Sequence, residues 1–131
     1  MAKTRSELRE KCMIILYQWD IYKKTEKNNM TIDDVINDNI DIENEFVKDI
    51  VYGVVTHQDE LDNLANKYME NWTIDRLDKT GASILRMGIY ELKYTDTPDV
   101  VVINEAVELS KKYSDDSVRK IINAILDKIK E

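Results

Sequence analysis

The sequence reads as all-α: one compact bundle of about six or seven helices, occupying residues 1–131 as a single domain. Three observations carry this expectation. Apolar residues recur at spacings of three and four along most of the chain, the period of helices that bury one stripe. One proline and three glycines leave few breaks, and 34% charged residues supply the wet helix faces. The stretch Asp78 to Tyr94, DKTGASILRMGIYELKY, is apolar or small on nearly every side from Ala82 onward, interrupted by Arg86, Glu91 and Lys93. A helix of that kind must be covered by neighbours all round, which makes it the centre of the bundle.

The elements follow in order. Thr4-Arg-Ser-Glu7 is a capping-box pattern and starts the first helix. Leu8, Cys12, Ile15, Leu16, Trp19 and Tyr22 form its core stripe, and Arg5 and Arg9, four apart, are expected on an exposed face. Lys23 to Asn29 is a polar loop. Thr31 caps a short helix through Asn37 with Ile32, Val35 and Ile36 turned inward. Asp41 is expected to cap one long helix from Ile42 to Glu70, loosened at Gly53 or around Thr56 to Gln58. Trp72 to Leu77 is a connector with Trp72 plugging the junction. In the central helix Gly81 and Gly88, seven apart, share a face where a neighbour can approach closely. Thr95 to Pro98 is a turn, so the next helix begins at or after Pro98 and runs to Tyr113. Ser114 to Ser117 breaks and caps, and Val118, Ile121, Ile122, Ile125, Leu126 and Ile129 give the last helix its buried face.

Charge is distributed unevenly. Residues 1–27 hold seven basic against four acidic side chains, whereas residues 28–62 hold Lys48 against ten acids, within a net charge of −7. A polyanion therefore has only a limited footprint, at the basic end. No run of roughly 18 apolar residues spans a membrane and no secretory signal is present, so a soluble, cytoplasmic protein without a membrane partner is expected. One cysteine and one histidine build neither a disulfide nor a zinc site within the chain. Cys12 lies on an apolar stripe, and His57 has no Cys, Asp or second His at ligand spacing. There is no glycine-rich phosphate loop and no nucleophile with a histidine base, and the acid pairs Asp33-Asp34 and Asp115-Asp116 occupy capping positions. Binding rather than catalysis is expected, with no cofactor and no metal.

Three segments together resemble the NusB family of transcription antitermination factors. They are the R-x-x-x-R-E pattern continuing to L-Y-x-W between Arg5 and Trp19, the N-W-T-I-D-R-L…I-L-R-M-G-I-Y-E-L run from Asn71 to Leu92, and V-V-I-N-E-A-V-E-L-S-K-K-Y…K-I-I-N-A-I-L-D-K from Val101 to Lys128. The resemblance implies a fold of two helical subdomains. It also implies a non-enzymatic adaptor that, with the ribosomal protein NusE, binds single-stranded boxA RNA of nascent ribosomal RNA within the RNA polymerase antitermination complex. Carried over by position, Lys3, Arg5 and Arg9 would lie along the RNA backbone, and Arg119, Lys120 and Asn123 would supply a second RNA-facing patch. Arg and Lys neutralise phosphate, and Asn can read a base edge in a single strand.

The departures from the family pattern matter. Ser6 and Glu7 stand where consecutive arginines are common, and Gly81 replaces an acid. Ile121 and Ala124 replace the aromatic and glycine of K-F-V-N-G. Without that ring a stacking surface is lost, so RNA affinity without the protein partner is expected to be weak. Two other readings remain open: a helical module serving a separate ribosomal RNA methyltransferase, and a protein-binding scaffold that uses the acidic segment from Asp33 to Asp62. The choice between monomer and homodimer is not legible.

Overall fold

The computed structural model describes residues 3–25 and 29–130. Seven α-helices occupy them: α1 (Arg5–Tyr22), α2 (Ile32–Asn39), α3 (Glu45–Thr56), α4 (Gln58–Tyr68), α5 (Lys79–Tyr94), α6 (Asp99–Tyr113) and α7 (Asp116–Ile129), with a short 3-10 turn at Ile74–Arg76 before α5. Part of the loop expected over Lys23 to Asn29 lies outside the described residues.

Local chemistry sets most helix starts. Thr4 and Glu7 close a reciprocal capping box at α1, as do Thr31 and Asp34 at α2. Asp78 and Asp115 accept backbone N–H groups at the starts of α5 and α7. Each such cap satisfies a donor that helix geometry leaves unpaired, typically worth about 1 kcal/mol.

The long helix expected from Ile42 to Glu70 is two helices, parted within the Thr56 to Gln58 stretch where a loosening is expected. Asn44, not Asp41, caps α3 by accepting from Val47 N–H, and the chain breaks at His57. Gly53 does not loosen α3 but admits a neighbour. A Cβ built there would lie 2.1 Å from the Tyr90 ring of α5. Trp72 does not plug the junction either: it is 49% exposed, and Ile74 and Leu77 fill the space beneath.

α5 is buried continuously from Gly81 to Glu91. α1 packs on α2 and α3, α4, α6 and α7 gather round α5, and both α1 and α3 also rest on α5, so the two groups of helices share it. The two charges inside this buried stretch are paired. Arg86 donates to Asp62 of α4 at 2.7 and 3.1 Å, and Glu91 accepts from Arg9 of α1.

Both glycines of α5 face α7. A Cβ at Gly81 would meet Val118 at 2.7 Å, and one at Gly88 would meet the two Leu126 methyls at 2.8 and 2.9 Å. Removing side chains at these points lets the two axes close up, which offsets the poor helix propensity of glycine. Gly88→Leu is expected to destabilise the fold by about 1 to 3 kcal/mol by overpacking, although leucine is the better helix former. A thermal melt checks this; an unchanged or higher midpoint would contradict the packing.

Candidate nucleic-acid interface

The start of α1 carries the first candidate group. Lys3 and Arg5 are exposed and form no ion pair among the described residues. The Arg5 guanidinium lies 4.3 Å from the centre of the Phe46 ring at the start of α3, which holds the side chain against the surface while its charge stays in water.

Arg9 does not share that exposed face. Its side chain is only 5% exposed. Nε and Nη2 donate to the two carboxylate oxygens of Glu91, both at 2.8 Å, and Nη1 reaches Glu105 of α6 at 3.4 Å. Ser6 donates to the same Glu105 oxygen at 2.5 Å. The guanidinium is thus a clamp between α1, α5 and α6. Glu91 raises its pKa against the opposing effect of burial. The physical reason is position: Arg9 stands three, four and seven residues before Cys12, Met13 and Leu16, all buried, and so belongs to the core face.

At the start of α7, Lys120 and Asn123 are exposed, and Lys120 has no ion pair among the described residues. Arg119 is half-buried with Nε 3.5 Å from Asp116. Ile121 is half-buried against the core and edges a groove between α7 and the chain leaving α4. The groove is lined by Tyr68, Met69, Glu70, Trp72, Ala124, Ile125 and Lys128 as well.

The two basic groups stand apart. α1 runs against α5, with Arg9 at Glu91 and Asp20 bonded to Lys79, whereas α7 runs along α5, with Val118 at Gly81 and Leu126 at Gly88. Ten residues of α5 separate the two levels, about 15 Å along its axis. α6 bridges them through Lys112, whose ammonium is 2.7 Å from Glu10. Hydrogen bonds from Lys112 and Tyr113 hold the Glu10 carboxyl below its ordinary pKa. A ligand touching both groups must therefore be extended.

Elsewhere, Cys12 is enclosed, and burial pushes its thiol pKa up. His57 stacks on Tyr94 at 4.6 Å, with Nδ1 3.6 Å from Glu60. No cluster of three metal-ligating side chains occurs among the described residues, and no described helix is long and apolar enough to cross a membrane.

Two residues of these surroundings are not among the candidates drawn from the sequence. Glu91 was identifiable as a charge that needs a partner, because it interrupts a segment buried on all sides. Trp72 gave no signal of its exposure.

The chain matches the NusB family over residues 6–131. It is 41% identical over 128 residues to the transcription antitermination protein NusB of Staphylococcus aureus strain JH9, covering 98% of this chain and 99% of that one. Among solved structures, NusB of T. maritima superposes with a TM-score of 0.85 at 25% identity, covering 99% of this chain and 92% of that one. The antitermination factors NusB and NusE in complex with dsRNA give a TM-score of 0.82 at 27% identity, covering 99% of this chain and 98% of the matched one.

Proposed function

The chain belongs to the NusB family, and from that premise we propose that it is an RNA-binding adaptor of transcription antitermination. It would join NusE on boxA RNA within the RNA polymerase antitermination complex of the cytoplasm, without a catalytic step of its own. The observation that supports this most directly is the likeness, along 99% of the chain, to a NusB seen together with NusE and dsRNA.

In this reading Lys3 and Arg5 follow the RNA backbone at one end of the bundle, and Arg119 and Lys120 meet it at the other, with Asn123 beside them for a base edge. Arg9 acts differently. Its charge is taken up by Glu91 and Glu105, so it sets the angle of α1, on which Lys3 and Arg5 are carried.

The test is a titration of labelled boxA RNA with and without NusE over a range of salt. Binding that weakens steeply with salt supports the proposal; no binding in either arm overturns it. Arg5→Ala is expected to leave the fold intact, since Arg5 is exposed, and to flatten the slope of log affinity against log salt by about 0.7, one single-strand phosphate contact. An unchanged slope removes Arg5 from the interface.

A further inference from the structure

Trp72 is not enclosed by the fold. It follows Asn71, whose φ of 64° places the backbone in the left-handed region, and this local turn carries the indole out of the core rather than into it. Half of the residue is open, while Ile74 two positions on is buried in its stead. Leaving a large ring in water forgoes the burial that usually anchors a tryptophan.

The surroundings of the ring select an occupant. Trp72 stands on one wall of the groove beside Tyr68 and Met69, and the opposite wall, from α7, is aliphatic: Ile121, Ala124 and Ile125. Within the lining Lys128 balances Glu70. Arg76, with Asp75 beside it, lies over the indole at 5.7 Å, and the exposed Lys120, with no ion pair among the described residues, directly precedes Ile121 of the α7 wall. A flat, open aromatic flanked by cations and facing an apolar wall is complementary to a nucleobase attached to a phosphate backbone. A purely apolar peptide would leave those cations unused, and a basic peptide would be repelled by them.

We propose that Trp72 is a stacking residue for one unpaired base of the bound RNA, with Arg76 positioning the indole and the α7 wall closing over the base edge. The proposal rests on the RNA-binding reading above and assigns to it a contact by a residue of neither basic group, beside the α7 one. Stacking is tolerant of base identity, so this contact contributes affinity more than sequence choice.

Emission from a Trp19→Phe variant reports Trp72 alone, since the chain has two tryptophans. Unlabelled single-stranded boxA RNA is titrated against that emission, and the labelled RNA is followed in parallel by anisotropy. Quenching is expected to saturate at the same RNA concentration as anisotropy. Trp72→Ala is expected to weaken binding about tenfold, Trp72→Phe to retain most of the affinity, and both to leave the salt slope unchanged, because stacking releases no counterions. Full affinity in Trp72→Ala, or emission unaltered at RNA saturation, overturns the proposal while leaving the RNA-binding reading intact. Emission that changes on adding NusE without RNA, and no further when RNA is added, assigns the ring to a protein contact and overturns it as well. Absence of any RNA binding by anisotropy sinks both.

Discussion

Arg9→Ala is expected to cost about 3 to 5 kcal/mol of stability, the penalty for leaving a buried charge without its partner. Glu91 is 3% exposed at its side chain and takes both of its strong hydrogen bonds from Arg9. Once the guanidinium is gone, the Glu91 carboxylate faces an enclosed site with Glu105 nearby, and two acids replace a clamp. Urea unfolding measures the effect, and a loss below about 1 kcal/mol would mean that water reaches Glu91 on truncation. The double replacement Arg9→Met with Glu91→Leu removes both charges while filling their volume, and is expected to recover most of the stability. It also separates the two roles Arg9 could have. If the residue only orients α1, the double variant binds RNA with the parent's salt slope; a flatter slope would show that Arg9 touches phosphate directly.

Gly53→Ala is expected to destabilise the protein by about 2 kcal/mol although it places a better helix former in α3. Overpacking of a rigid site costs up to about 3 kcal/mol, against roughly 1 kcal/mol gained in propensity. The new methyl would sit 2.1 to 2.4 Å from Cζ, Cε1 and the hydroxyl of Tyr90. That ring cannot yield by a small rotation, because its hydroxyl donates to Asp49 at 2.9 Å and its face stacks on Tyr94 at 5.2 Å. Expelling it breaks both contacts. Burial, with help from Asp49, pushes the Tyr90 phenol up to about 12. In Gly53→Ala its titration, followed by phenolate absorbance, is expected to fall back toward the ordinary value near 10. In a Tyr90→Ala background the same glycine substitution should cost much less, and equal costs in the two backgrounds would rule out the clash.

The parts of this fold legible in the sequence are those decided locally. The capping boxes at Thr4 and Thr31, the stripe of α1, the turn before Pro98 and the all-round burial of α5 each follow from a few adjacent residues. Gly81 and Gly88 were readable as one face because seven residues make nearly two turns. The interruption around Thr56 to Gln58 was legible only as a loosening of one long helix, since Thr56-His57-Gln58 contains neither glycine nor proline and the apolar period continues across it. What accompanies it is tertiary: His57 stacks on Tyr94, which lies 37 positions further along. Arg9 was misplaced for a related reason. A pattern of apolar residues assigns charges to the outside by default, and only the Glu91 carboxylate makes the inside tolerable. Of the candidate interface, composition and family likeness identified the charged residues, but the separation between α1 and α7 is set by how both lie along α5.

The partners of α1 also fix when that helix can settle. Arg9 is separated from Glu91 by 82 positions, and Glu10 from Lys112 by 102. On a ribosome adding about 5 to 20 residues per second, roughly 4 to 16 s pass after Arg9 is made before Glu91 is made. During that interval α1 has only α2 and α3 to lean on, and its guanidinium remains hydrated. The first helix synthesised is thus among the last to be locked, and loop closure over such distances slows folding more than it weakens the finished state. Lys3 and Arg5 acquire a defined direction only when the C-terminal third of the chain has arrived, so an incomplete chain would display its basic end without a fixed geometry for it.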